Sequence, residues 1–248
     1  MSIQAGREEV VVSIPLTREI PLPPSYPPID IQPRPRSEFM QRAMNVTIAL
    51  ITLLVVSPIL IVFALLVKLT SPGPIFYSQA RVGLDRRRTP VRDMYDRRAQ
   101  DIGGKPFMIY KFRTMKVNAE VPHSAVWATK MDARVTPVGR FMRKYRIDEL
   151  PQLFNVLRGE MNIVGPRPER PSIFSQLCDD IEEYPLRQRA KPGITGWAQV
   201  NHNYDTCVED VRKKVRYDLE YLERQSVTED LRIMARTLPV MILSRGGW

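Results

Sequence analysis

The chain has 248 residues, with 37 Lys or Arg against 27 Asp or Glu, a net charge of +10. That length suits one domain with a sizeable core, and the basic excess suits an anionic partner: nucleotide, lipid phosphate, membrane surface or nucleic acid. Two cysteines without CxxC spacing, Cys178 and Cys207, argue against a disulfide framework and read as reduced, partly buried thiols, while two scattered histidines, His123 and His202, are too few for a His-based metal site.

Residues 1–36 carry eight prolines, from Pro15 to Pro35, in a polar stretch with no helical or strand period. Burial there cannot offset the entropy of ordering, so the stretch reads as a disordered tail, either a tether or dispensable. No signal peptide is expected, because the first apolar run begins well inside the chain. Residues 37–69 follow as a membrane segment. Its centre, Val46–Val67, is uncharged, and crossing the hydrocarbon core takes about 20 residues. Ser57-Pro58 falls near the middle, where proline removes a helix hydrogen bond. Basic residues flank both sides: Arg34, Arg36 and Arg42 before, Lys68, Arg81 and Arg86 to Arg88 after. The positive-inside rule pulls both flanks to one side. Each half is roughly 16 Å of helix, about half a bilayer. A helix that enters, breaks and returns fits these features, and so does a proline-containing span. The Ser57 hydroxyl could meet carbonyls freed at the break.

Residues 70–248 form the remaining domain. Ser71-Pro72-Gly73-Pro74 ends the membrane segment sharply, and Ile75–Gln79 reads as a short strand. Leu84–Gly104 is Arg-rich, a surface loop that either meets anionic headgroups or is simply solvated. Pro106–Met115, PFMIYKFRTM, reads as a strand whose alternation puts Lys111 and Arg113 on one side. Those cations either face phosphate or form a solvated strand face. Thr136-Pro137 opens a helix with Thr136 as cap and Val138, Phe141, Met142 and Tyr145 as its apolar face. Arg140, Arg143, Lys144 and Arg146 bring cations directly to the next element.

That element, Ile147–Pro168, is the densest in signals. Asp148 stands at an N-cap position, Glu149 follows it, and Pro151 falls in the first turn. Leu150, Leu153, Phe154 and Leu157 recur at helical spacing as a buried face. Gly159 stops the helix, and Gly165-Pro166-Arg167-Pro168 is a rigid turn presenting one guanidinium, a group suited to gripping phosphate. Two acids at a helix start and a phosphate-type Arg suggest phosphoryl chemistry; helix capping alone is the other reading. Pro171–Tyr184 reads as a helix. Lys191–Asn201 is a turn-rich loop whose Trp197, Gln199 and Asn201 either contact a base or sugar or surround a packed Trp. Asp205–Gln225 is helical, with Val208, Val211, Val215, Leu219 and Leu222 on one face. Ser226 and Glu229 resemble a capping box for a last amphipathic helix, to about Ser244, which lies on the membrane or on the core.

Three of these stretches carry a resemblance: KFRTM at Lys111–Met115, RIDELPQLFNVLRGEMNIVGPRPE at Arg146–Glu169, and KPGITGWAQVN at Lys191–Asn201. They resemble, in order, the motifs of the bacterial sugar transferase family, the monotopic polyprenyl-phosphate hexose-1-phosphate transferases. The match runs from about Ser37 to the C-terminus. The resemblance implies an α+β, mostly helical fold that is membrane-associated and monotopic, with a re-entrant helix broken at Ser57-Pro58 and a small β element. It implies transfer of a hexose-1-phosphate from a UDP-sugar to polyprenyl (undecaprenyl) phosphate, releasing UMP. That is the initiating step of a polysaccharide or glycan, at the cytoplasmic face of the bacterial inner membrane.

Carried onto matching residues, the family implies that Asp148 is the nucleophile of a covalent aspartyl-phosphosugar intermediate, with Glu149 its partner acid. Free Asp has a pKa of about 3.9, so Asp148 is expected to ionise without special tuning. Mg²⁺ would bridge Asp148 and the diphosphate, since hard oxygen ligands suit it. Lys111, Arg113, Arg143 and Arg167 would hold phosphate, and Gln199 and Asn201 the base or sugar. One departure is Gly159-Glu160-Met161-Asn162, where the family commonly has Gly-Asp-Met-Ser; polarity is kept at both changed positions. No nucleic-acid partner is expected, and oligomerisation is left open. The alternative is a membrane-tethered, non-enzymatic binder of anionic partners, which leaves the placement of Asp148-Glu149 beside a phosphate-type turn unexplained.

Overall fold

A computed structural model describes residues 31–86, 103–117, 119, 132–202 and 207–242. The expected tail up to residue 30, most of the Arg-rich loop, and His123 lie outside them. The last part of the supposed tail is folded. Ile31 is buried, the Arg34 amide donates to Leu222 O at 2.9 Å, and Gln225 Nε2 donates to Arg34 O at 3.0 Å. The Arg36 guanidinium reaches Asp230 Oδ2 at 3.3 Å. Residues 31–36, read as tail from composition, thus belong to the unit Ile31–Trp248.

Helix α1 spans Glu38–Thr70, opened by Ser37, whose hydroxyl accepts from Met40 N, and closed with Lys68 in the last turn. It continues as one element through Pro58. Pro58 has no N–H for the carbonyl of Leu54, and the Ser57 hydroxyl donates to that carbonyl instead, at 2.9 Å. Two stretches of α1 face the protein. Ile48, Ala49 and Leu53 join the main core, and Leu60, Phe63, Ala64 and Val67 join a second cluster with Phe112 and Met142. The rest of its surface, including Leu50, Ile51, Leu54, Val55 and Leu65, is exposed and apolar. The helix is long and apolar enough to cross a membrane, and so bare an apolar surface is compatible with membrane association.

Strands β1 (Phe76–Val82) and β2 (Pro106–Phe112) pair antiparallel, from Phe76 opposite Phe112 to Val82 opposite Pro106. The first runs longer than expected and the second stops earlier; Met115 instead bridges Val135. Helix α2 (Pro137–Lys144) has the expected cap, with the Thr136 hydroxyl accepting from Gly139 N at 2.9 Å. The next segment differs from the expectation. Ile147–Gln152 is a 3-10 helix, and only Leu153–Arg158 is α-helical (α3), so Asp148 lies inside a tight turn rather than at an N-cap. Pro151, inside this turn, has no N–H to donate in either winding. The tighter winding also rotates the apolar face. Leu153 and Val156 are buried, while Phe154, expected inside, is 47% exposed.

A second small sheet pairs β3 (Asn162–Val164) with β4 (Gly193–Thr195) in parallel. Here the backbones nearly touch. A Cβ on Gly193 would lie 2.1 Å from Gly165 N, so only glycine fits. Between these strands come α4 (Pro171–Asp180) and a 3-10 helix, Tyr184–Arg189. After them, the expected loop is ordered as α5 (Trp197–Asn201), followed by α6 (Val208–Arg224) and α7 (Val227–Ile242). Glu229 N donates to the Ser226 hydroxyl at 3.1 Å, one half of a capping box, while Glu229 Oε1 has no hydrogen-bond partner among the described residues. Ile233 of α7 is fully buried while Leu231 and Leu238 are exposed, so one face of that helix packs on the core. Cys178 and Cys207 are free thiols, and Cys207 is exposed rather than partly buried. The described residues form a mostly helical fold with two two-stranded sheets, built on one long apolar helix.

Candidate active site

Asp148 and Glu149 are 9% and 6% exposed, at the point where α2 turns into α3. The turn is made by Arg146, the one non-glycine with positive φ among the described residues, at 55°. A left-handed residue with a Cβ costs about 1–2 kcal/mol. The guanidinium of Arg146 pairs with Glu149 Oε2, three residues on, at 3.5 Å. Two further cations close on the same carboxylate. Lys111 Nζ lies 2.7 Å from Oε1. Arg167 forms a fork, Nη2 to Oε1 at 2.5 Å and Nη1 to Oε2 at 3.3 Å. Among the described residues no side chain donates to the Asp148 carboxylate.

The two acids therefore titrate apart. Burial raises the Asp148 pKa, and the negative charge of Glu149 raises it further, against Lys111, Arg143 and Arg167. The expectation of an untuned Asp is corrected: a desolvated carboxylate next to another acid does not keep its free value. Burial also acts to raise Glu149, but Arg167, Lys111 and Arg146 overturn this and hold it well below the usual carboxylate range. Burial lowers the Lys111 pKa and Glu149 opposes that, while Glu149 pushes Arg167 upward.

Secondary structure delivers these groups from separate elements. Asn155 of α3, fully buried, accepts from Tyr110 N at 3.2 Å and donates to Met108 O at 2.7 Å, which sets β2 and Lys111 in register with the acids. Its amide also donates to Glu160 Oε2 at 2.7 Å, one of the two positions that depart from the family pattern. Arg42 of α1 donates to the last carbonyls of α3, at Val156 and Leu157. Asn45 Oδ1 accepts from Ile163 N at 2.6 Å. The long helix is thus bonded directly to α3, which continues the 3-10 turn bearing the acids, and to β3.

Of the expected site residues, Lys111 and Arg167 meet at Glu149. Arg143 is close enough to act electrostatically on Asp148, and its Nε donates to the Thr114 hydroxyl at 2.9 Å. Arg113 is elsewhere. It is buried, and its guanidinium donates to Pro72 O at 2.5 Å and Ser71 O at 2.7 Å, tying the end of α1 to β2. The strand ends at Phe112, so the alternation that would align Arg113 with Lys111 lapses there. Gln199 and Asn201 are also engaged locally, donating to Ile194 O at 3.1 Å and Trp197 O at 2.8 Å. Trp197 is buried, donates to Glu220, and lies under Arg224 and Arg236. Its motif braces the Arg167 turn by backbone contact. Asn155, Arg42 and Asn45 were not singled out as functional from sequence, whereas Arg146 stood among the cations brought to the acids. Asn155 alone left a signal, a polar residue interrupting the apolar run Leu153–Leu157.

Among the described residues no three His, Cys, Asp or Glu side chains cluster as a metal site. Mg²⁺ needs fewer, since it is commonly held by one or two carboxylates with substrate phosphates and waters. With Glu149 occupied by cations, Asp148 is the oxygen donor that fits that pattern.

A model of the bacterial sugar transferase family matches residues 36–244. The chain is similar to UDP-glucose:undecaprenyl-phosphate glucose-1-phosphate transferase of Escherichia coli K12, 42% identical over 82% of this chain and 40% of that one. It is similar to UDP-N-acetylgalactosamine-undecaprenyl-phosphate N-acetylgalactosaminephosphotransferase of Aeromonas hydrophila, 39% identical over 87% and 46%. Exopolysaccharide production protein ExoY of Sinorhizobium fredii is 34% identical over 87% of this chain and 91% of its own length. The chain spans less than half the length of the first two relatives. A paired acid at a left-handed corner, a forked Arg from a Pro-Arg-Pro turn and a family match across most of the length agree: the chain belongs to the bacterial sugar transferase family.

Proposed function

We propose that this chain transfers a hexose-1-phosphate from a UDP-sugar to polyprenyl (undecaprenyl) phosphate, releasing UMP, as the initiating step of a polysaccharide or glycan. The observation that carries the reading is the division of labour within the acid pair. Glu149 holds three cations in place, and among the described residues no side chain donates to Asp148, buried beside it. In the first step an Asp148 carboxylate oxygen attacks the sugar-bearing phosphorus. The bond from that phosphorus to the bridging oxygen breaks, and UMP leaves with the electron pair. In the second step a phosphate oxygen of the lipid attacks the same phosphorus and the Asp148 carboxylate departs. A carboxylate is an established nucleophile for such intermediates, and a raised pKa makes its ionised form more nucleophilic. Lys111, Arg143 and Arg167 supply fixed positive charge where phosphate oxygens gather. Asp148 would hold Mg²⁺ together with the donor diphosphate, adding charge neutralisation there when bound. Gln199 and Asn201 would contact the base or sugar: each commits one amide N–H to nearby backbone, and Gln199 Oε1 is buried with no partner among the described residues.

In this reading the acceptor's phosphate stays at the membrane surface, and α1 sets the depth of the site. It does so as a re-entrant hairpin in one leaflet, with the acids on the cytoplasmic side of the bacterial inner membrane. Two observations support the hairpin: basic residues beyond both ends, and both halves of α1 packing on the same folded unit.

The test is full-length protein in lipid nanodiscs with Mg²⁺, polyprenyl phosphate and a panel of UDP-sugars. We expect UMP release with at least one donor and a phosphosugar mass on the peptide containing Asp148 when acceptor is withheld. Absence of both with every donor would overturn the reading.

A further inference from the structure

The Pro166-Arg167-Pro168 turn poses a mechanical problem. Two of its three residues lack an N–H, so a neighbour can fix this backbone mainly by donating to its carbonyls. The protein does this at every position. Gly193 N donates to Pro166 O at 3.0 Å. Arg187 Nη2 donates to Arg167 O at 3.0 Å. Arg81 Nη1 donates to Pro168 O at 3.1 Å, and Val82 N donates to Glu169 O at 2.9 Å.

Of these donors Arg187 is the unusual one. Its side chain is fully buried, with Nε and Nη2 on Asp218 Oδ2 at 2.9 Å and 2.7 Å and Nη1 on the Tyr184 hydroxyl at 2.7 Å. Burying an ion pair is costly, and apolar replacements of both partners are often neutral or stabilising. An arrangement that adds little stability invites a positional explanation. Here Arg187 also contacts the carbonyl of the residue whose guanidinium forks onto Glu149.

We propose that Arg187, locked by Asp218, is a positioning residue that holds the Arg167 backbone so that its guanidinium meets Glu149 and the donor's phosphate. Arg81 performs the same service one residue on. The inference rests on the proposed transferase reading for its kinetic consequence, but not for its structural one.

The experiment uses full-length protein in nanodiscs and the double variant Arg187→Met/Asp218→Leu, which removes both charges together and so avoids an orphaned buried carboxylate. Hydrogen exchange of the segment 163–170 is measured first. We expect faster exchange there, with α6 and α7 unchanged and the thermal midpoint held. Unchanged exchange in that segment overturns the inference whether or not the protein has transferase activity. Loss of protection throughout the protein also overturns it, as a general structural role. UMP release is then compared in a cycle with Arg167→Gln. We expect a loss of about tenfold to a hundredfold from the double variant alone. In the Arg167→Gln background it should cost nothing further, because the group being positioned is gone. Additive losses in an active wild type refute the inference and leave the transferase reading standing. Arg187→Lys, with a single ammonium that reaches either Asp218 or the carbonyl, should fall between wild type and the double variant.

Discussion

Arg167 and Glu149 meet through a two-pronged contact, Nη2 to Oε1 at 2.5 Å and Nη1 to Oε2 at 3.3 Å, joining a turn after β3 to the residue next to Asp148. Asp148 is thereby separated electrostatically from its neighbour. One acid is fixed as an anion and the other is held above its ordinary pKa by burial and by that anion.

The pH dependence follows from this separation. Asp148 must be ionised to attack, and its folded pKa is raised, so UMP release should fall as pH drops through a value above the usual carboxylate range. Glu149→Gln removes the adjacent negative charge and frees Lys111 and Arg167 to favour an ionised Asp148. The acid limb of the pH–rate profile should therefore move to lower pH, even as the rate itself drops. An acid limb that stays put or moves upward would contradict the assigned coupling.

Substitution of the proposed nucleophile should split activity from stability. Asp148→Asn should reduce UMP release by at least about a thousandfold, as expected for loss of a covalent nucleophile. Glu160→Gln, which keeps an acceptor for Asn155, should retain most of it. The raised folded pKa means the folded state binds this proton more tightly than the unfolded chain does. Its stabilising contribution is therefore present at low pH and lost as pH rises through the folded pKa. Asp148→Asn should accordingly melt higher than wild type at pH 7, with the difference closing in acid, by thermal unfolding in nanodiscs.

Topology is testable without any substrate. A cysteine-labelling reporter placed before Val46 and one placed after Val67 should both react from the cytoplasmic side. Labelling from opposite sides would replace the hairpin with a simple span.

Asn45 ties α1 to β3 through its bond to Ile163 N, and both groups are buried. Asn45→Leu should cost about 1–3 kcal/mol by stranding that amide. The loss should appear as a lower thermal midpoint and faster exchange at Ile163.

Much of this molecule was written locally. The uncharged run Val46–Val67, the Thr136 and Ser226 caps, the two acids and the Pro-Arg-Pro turn depend on residues within a few positions of each other, so hydropathy, capping and proline chemistry make them legible. The family motifs added the identity of the site. Distances across the fold were not legible. Alternation aligned Arg113 with Lys111, but the strand ended between them and Arg113 went to close α1. Helical spacing put Phe154 inside, but the 3-10 turn before α3 rotated it out. The two acids were known as neighbours; which of them would be neutralised depended on cations from β2, from the Arg146 corner and from the turn after β3. Electrostatic environment is a sum over groups brought close by folding, and positions along the chain do not contain it. That is why the sequence alone could point to Asp148 and Glu149, and only the tertiary structure could tell them apart.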